Sequence, residues 1–275
     1  MRQFSVVIPW RNRPEIEQTL EANAHLFVRH SAEVVVVNCG GDAAALSTVL
    51  GNQRGVAIRP IGIPHDCFNR SLANNIGALY SEGAFVFFLD ADVILKTDIL
   101  EETRGMLEEQ NCVVHVRKVY ESNAPDNPKM AFVKELVHTR EISCVDGRRA
   151  MVRSIVGGDG SRGGSGLMIA SKAHLLRVGG FNSTLKGWGY EDSDLTIRLQ
   201  FELGLDVRMI GEATHLTHGD DRRGVAGASR VKDYYDNEAA CLERYSRGDH
   251  MGTYFDDEVA WQGKIQDLSP SGSPG

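Results

Sequence analysis

Residues 85–92 read Phe-Val-Phe-Phe-Leu-Asp-Ala-Asp. A run of apolar residues stops in two carboxylates separated by one small residue. A short apolar run without polar alternation suits a strand buried on both faces. In open α/β sheets ligands bind outside the carboxyl ends of such strands, so Asp90 and Asp92 fall at a ligand-binding edge. Two carboxylates this close do not both stay ionised without a positive partner. A divalent cation supplies one, and at diphosphate sites it commonly takes only one or two protein carboxylates. The plainer alternative is a turn after a strand, where Asp is common. The buried run before the pair favours a metal and nucleotide site.

Outward from this strand the pattern alternates. Residues 4–8 and 33–38 are β-branched runs, and Ile16, Leu20, Ala24 and Phe27 recur at helical spacing with Pro14 suited to the first turn. Further helices are expected over 42–50, 69–82 (with Gly83 as its stop) and 97–110, and a strand over 112–119. Strand–helix alternation predicts an α/β fold with a doubly wound, mostly parallel central sheet. The second half is less regular. Glycine-dense residues 157–164 and the segment 123–128 predict a mobile loop or close backbone approach to a ligand. Strands are expected at 167–171, 207–210 and 213–217, and helices at 172–178, 191–203 and 229–245. With no internal repeat and no linker, the chain reads as one domain over 1–262 and a flexible tail over 263–275.

Composition narrows the function. The 275 residues carry a net charge of −7, which argues against a nucleic-acid partner. No stretch approaches the roughly 20 apolar residues of a membrane span. The N-terminus is interrupted too soon for a signal peptide and reads as the first strand. Five scattered cysteines without metal spacing suit reduced thiols and a cytoplasmic location, peripheral to a membrane only if the acceptor is lipid-linked.

Three more constellations carry chemistry. Gly187-Trp-Gly-Tyr-Glu-Asp-Ser-Asp194 opens a helix with carboxylates after an indole set between glycines. Helix capping and the helix dipole account for the acidic residues as charges. They do not account for Trp188, whose ring suits stacking on a sugar. A helix N-terminus also keeps a carboxylate ionised and able to take a proton. His215 and His218 stand three apart after a strand, a spacing open to metal binding or to a structural histidine. Pro9-Trp-Arg-Asn-Arg13 and Phe68-Asn-Arg70 set arginines beside aromatic rings, as phosphate and base recognition requires. The alternatives are a solvated basic loop and simple helix-staple packing by Phe68.

Together and in this order, these segments resemble the β-1,4-galactosyltransferase family and the bacterial chondroitin-synthase-type enzymes, glycosyltransferases of the GT-A fold. Pro9-Trp-Arg-Asn-Arg13 resembles the family's Pro-Phe-Arg-Asn-Arg. Phe68-Asn-Arg70 with Asn75-Ile-Gly77 resembles its Phe-Asn-Arg and Asn-Val-Gly, and Asp90-Ala91-Asp92 its Asp-Val-Asp. Gly187–Asp194 resembles its Gly-Trp-Gly-Gly-Glu-Asp-Asp-Asp, and His218 before Gly-Asp-Asp stands where its metal histidine stands.

The resemblance implies a metal-dependent, inverting transfer of a hexose or N-acetylhexosamine from a UDP-sugar (UDP-Gal, UDP-GalNAc or UDP-GlcNAc) to an acceptor hydroxyl. It implies a donor site of Pro9, Trp10, Arg11, Arg13, Asn38, Phe68, Arg70, Asn75, Asp90, Ala91, Gly164 and Trp188. Asp92 and His218 would ligate manganese or magnesium, with His215 as alternate. Asp192 would be the base, with Glu191 beside it. The acceptor could be a carbohydrate, glycolipid, peptide or small molecule.

Three departures stand out. Trp10 replaces a phenylalanine and Tyr190 a glycine. Either Gly163-Gly164 or Ser165-Gly166 fits the glycine-pair position, and the donor-selecting aromatic residue there is missing. The rival readings are a retaining enzyme similar to polypeptide N-acetylgalactosaminyltransferases, a sugar nucleotidyltransferase and a non-catalytic nucleotide-sugar binding module.

Overall fold

The computed structural model describes residues 3–53, 55–109, 111–123, 134–218 and 230–269. The Gly219-Asp220-Asp221 run, most of the 123–128 segment and the end of the tail lie outside them. The first half builds β1 (Phe4–Trp10), α1 (Ile16–Arg29), β2 (Glu33–Cys39), α2 (Ala43–Gly51), β3 (Ala57–Ile63), α3 (Arg70–Tyr80), β4 (Phe85–Phe88), β5 (Val93–Leu95), α4 (Ile99–Glu109) and β6 (Cys112–Glu121). The second half adds β7 (Glu135–Ser143), β8 (Arg149–Gly157), β9 (Arg162–Ser171), α5 (Lys172–Arg177), α6 (Glu191–Leu203), β10 (Asp206–His215), α7 (Arg230–Ser246), α8 (Tyr254–Trp261) and β11 (Gln266–Asp267).

The sheet runs β11-β3-β2-β1-β4-β9-β6-β10-β5, with β8 joining β9 and β7 joining β8. Strands β3, β2, β1 and β4 pair in parallel, and β6 with β10 is the other parallel pair. Antiparallel β9 lies between β4 and β6 and joins these two parts, so the sheet is mixed. Alternation in β1 sends Val6 and Ile8 to one face and Val7 to the other. The first face packs α1, α2 and α4; the second packs α3, α5, α6 and α8. A smaller core gathers Cys144, Ala150, Tyr190, Ile197, Phe201, Cys241 and Tyr245.

Several local expectations change. The glycine-dense segment is not a loop. It is the β8–β9 hairpin, with a tight turn in which Gly157 N–H donates to Ser161 O. The two strands expected at 207–217 are one strand, β10. Within the expected tail, Gln266–Asp267 pair with β3 and Leu268 packs against the core. Strand β3 begins with exposed and half-buried positions and contains Pro60, so it lacks the apolar run that marked its neighbours.

Gly77 sits where α3 crosses β1 and β2. A Cβ added there would lie 2.3 Å from Val7 Cγ1, and Val7 is fully buried. Gly77→Ala is therefore expected to destabilise the fold by about 1–3 kcal/mol. Its midpoint in a denaturant titration checks this; an unchanged midpoint would contradict the close approach.

Candidate active site

One cleft of about 630 Å³ opens at the carboxyl ends of β1 and β4. It collects Pro9, Arg11, Arg13, Phe68, Arg70, Asp90, Ala91, Asp92, Gly164, Trp188, Glu191, Asp192, His215 and His218. Three expected residues are elsewhere. Trp10 is buried in the core, and its indole N–H donates to Arg13 O at 2.8 Å, so it shapes the loop from below. The Asn38 amide closes the β2–α2 turn on Gly41. Asn75 bonds Phe181 and Asp257, fastening α3 to α8. All three are polar or amphipathic groups with a structural partner, and none of them lines the cleft.

The acidic pair is held from behind by α1. Thr19 Oγ1 donates to Ala91 O at 3.0 Å and Asn23 Nδ2 to Val93 O at 2.9 Å, both from fully buried side chains. Beyond the pair, β5 runs antiparallel to β10 with Val93 opposite His215. Leu216 N–H then donates to Asp92 O at 2.7 Å. That register brings both histidines to one carboxylate: His218 Nε2 lies 3.0 Å and His215 Nε2 3.6 Å from Asp92 Oδ2. The three potential ligand atoms lie within 4.8 Å of one another. His215 Nδ1 contacts Glu121 Oε2 at 2.6 Å, a carboxylate behind the imidazole of the kind that orients metal-ligating histidines. Burial would raise the Asp92 pKa, but the two imidazoles outweigh it and hold the carboxyl below its ordinary range. His215 is pushed up in turn, first by its bond to Asp92, then by Glu121 against burial.

Across the cleft, Arg70 gathers the other carboxylates. It is the first residue of α3, after Asn69, whose Oδ1 accepts the Leu72 N–H as the N-cap. Its Nε donates to Asp90 Oδ1 at 3.0 Å, and its Nη1 to Asp192 Oδ1 at 2.7 Å and Glu191 Oε1 at 3.1 Å. Nη2 reaches Gly166 O at 2.8 Å. The arginine expected to hold nucleotide thus spends most of its donors on this cluster. Burial would lower its pKa, but Asp192, Asp90 and Glu191 outweigh that and hold the guanidinium well above its ordinary value. Burial and then the Asp192 charge push Glu191 up to about 7 against the pull of Arg70.

The glycines flanking Trp188 have a packing reason. Gly187 and Gly189 adopt positive φ, and a Cβ on either would meet Asp233 or Tyr234 of α7. Trp188 itself is 42% exposed, with the Arg230 guanidinium 5.6 Å from its ring centre. Tyr190 also has positive φ, at 74°. Its ring packs edge-on against Tyr234, 5.4 Å away. Glu121, Arg162, Tyr234 and Asn237 also line the cleft and were not singled out from the sequence. They carry no local motif; only strand pairing and helix packing bring them there.

A parallel sheet half, an acidic strand tip facing two histidines and a carboxylate-opened helix across one cleft fit a glycosyltransferase of the GT-A type. Residues 5–220 match the model of glycosyltransferase like family 2, and the chain belongs to that family. Among solved structures it is similar to Staphylococcus aureus TarS residues 1–349, with TM-score 0.54 at 14% identity, covering 94% of this chain and 72% of that one. The same region with UDP-GlcNAc gives 0.55 at 16%, covering 94% and 73%. With UDP it gives 0.51 at 17%, covering 88% and 71%. At such identities the likeness is one of fold.

The Glu191 shift has a stability consequence. The folded chain keeps this proton up to about pH 7, while the unfolded chain releases it near the ordinary 4.5. Between those values the folded state binds more protons, so stability falls as pH rises and then levels off. Glu191→Gln is expected to shrink the fall in Tm between about pH 5 and pH 8 relative to the parent. Parallel Tm-versus-pH curves for the two proteins would show that Glu191 titrates normally.

Proposed function

We propose that the chain is an inverting, metal-dependent glycosyltransferase that moves a hexose or N-acetylhexosamine from a UDP-sugar to an acceptor hydroxyl. The observation that carries this reading is the convergence of two groups in one cleft. Asp92, His215 and His218 gather on one side, and Asp192 and Glu191 open α6 on the other. The ligand set fits a divalent ion. Two imidazoles and a carboxylate suit manganese better than magnesium, which prefers oxygen. Arg13 Nη1 is buried with no hydrogen-bond partner among the described residues, and a diphosphate oxygen would satisfy it. Bound by Asp92, His215 and His218, the ion would neutralise charge on the departing diphosphate.

The remaining work falls to the chain's own side chains. Arg11 and Arg13 hold the nucleotide end, and Trp188 offers a ring to the acceptor sugar. Arg70 engages Asp192 through Oδ1, and Asp192 Oδ2 lies beside Gly166, where an added Cβ would stand 2.8 Å away. That oxygen accepts the acceptor hydroxyl proton while the hydroxyl oxygen attacks the anomeric carbon and the C–O bond to UDP breaks. One base on the face opposite the leaving group inverts the configuration. The motif-level resemblance to β-1,4-galactosyltransferases supports the same roles. TarS structures holding UDP and UDP-GlcNAc make UDP-GlcNAc the first donor to test. Five free thiols go with a cytoplasmic site of action.

A panel of UDP-sugars with manganese, scored by UDP release, tests the reaction class. Asp192→Asn is expected to lower kcat by about 10²–10⁴ while UDP binding persists; near-normal turnover in the folded variant rules this base out. His215→Ala and His218→Ala are each expected to weaken manganese binding, measured by calorimetry, by about 10-fold or more. Undiminished affinity in either removes that histidine from the ligand set.

A further inference from the structure

Strands β6 and β9 pair regularly through Val114–Ile169 and His115–Met168. The next β6 residue, Val116, then pairs with Gly164. Ser165, Gly166 and Leu167 therefore stand out of the ladder opposite a single step of β6. Such a bulge bends its strand and re-aims the residues in it, and it leaves backbone groups without ladder partners. This bulge projects into the cleft, where Gly166 O accepts from Arg70 Nη2 at 2.8 Å.

His115 replaces the missing partner. It is 3% exposed, and its Nδ1 lies 2.7 Å from Ser165 O. A carbonyl only accepts, so Nδ1 carries the proton. Burial pushes the His115 pKa down, which suits a neutral ring with Nε2 unprotonated. Nε2 lies 3.2 Å from Thr196 Oγ1, whose single hydroxyl proton goes either to Nε2 or to Asp192 O, 2.8 Å away. One imidazole thus touches both the bulge and the helix turn that carries the candidate base.

We propose that His115 is a positioning residue for glycosyl transfer. By holding Ser165 O it sets the β9 bulge, which fixes Gly166 O on Arg70 and so fixes the orientation of the Asp192 carboxylate. This rests on the reading of Asp192 as base. Without the Nδ1–H bond the bulge can relax, Arg70 loses one of its acceptors, and the Arg70–Asp192 pair is free to shift. Displacement of a reacting group by about an ångström costs on the order of 10²-fold in rate.

The test compares His115→Leu, His115→Asn and His115→Gln. The asparagine amide nitrogen falls near the Nδ1 position and keeps the bond to Ser165. The glutamine nitrogen falls near Nε2 and reaches only Thr196. His115→Leu and His115→Gln are expected to lose about 10-fold or more in kcat, with KM for the UDP-sugar changed by less than about twofold. His115→Asn is expected to stay within about threefold of the parent. Equal kcat in all three folded variants, or Gln outperforming Asn, overturns the proposal. Should the leucine variant not fold, the Asn–Gln pair decides alone. A crystal structure of His115→Gln supplies a readout independent of turnover: loss of the Arg70–Gly166 bond supports the proposal, and an unmoved Gly166 overturns it. If the parent transfers no sugar, the reading of Asp192 as base fails, while that structure still tests the bulge.

Discussion

The geometry of the cleft depends on how negative charge is balanced there. Asp90, Asp92, Glu121, Glu191 and Asp192 all face one concavity. Left to themselves they would repel, and burial would protonate them. Arg70 binds three of them through one planar guanidinium, and the two histidines take the other two. The cluster is therefore split into two groups, each gathered around its own partner, and the surplus negative charge on the Arg70 side shows in the raised pKa of Glu191. The split matches the proposed chemistry, in which one group would hold a cation and the other a carboxylate in a set orientation. A lysine at position 70 could not do the same work, because a single ammonium has no fork to bridge three acceptors at fixed angles.

The sheet explains how sequence-distant groups meet. The parallel half brings the β1 and β4 ends together, the edge at which open α/β sheets bind ligands. The rest arrives by antiparallel strands. β9 carries Gly164 and Gly166 back across the sheet, and β10 returns His215 beside the acidic tip. Helix α6, which follows the Gly187–Gly189 turn, then delivers Glu191 and Asp192. No single segment contains the site, and it is assembled where the two halves of the sheet meet.

Much of this was legible in the residues. The apolar run before Asp90 marked a buried strand, and the helices at 16–29, 70–80 and 191–203 showed clear apolar spacing and end signals. The acidic pair, the histidines and the Trp-Gly segment were readable as candidate chemistry. What stayed hidden depends on pairing. Strands β7 and β8 give little signal because they are largely exposed, and the turn into β9 reads as a glycine-rich loop. Glu121 and His115 sit in an ordinary strand, and only the register shows that one backs His215 and the other braces the bulge. Conversely, Trp10 and Asn75 sit in motifs whose other residues line the cleft, but their own side chains turn inward.

Strand β5 has only three residues, and its pairing with β10 is what sets His215 against Asp92. Side chains in a strand alternate, so a one-residue shift reverses which way they point. An insertion or deletion between Asp92 and Leu95, or between Ala213 and His215, would turn the imidazole away from the carboxylate and the buried Val93, Leu95 or Ala213 away from the core. The exposed hairpin tip at 145–147 carries no such restriction. Length variation among descendants of this gene should therefore gather at that tip and be purged from the two short spans that meet at Asp92 and His215.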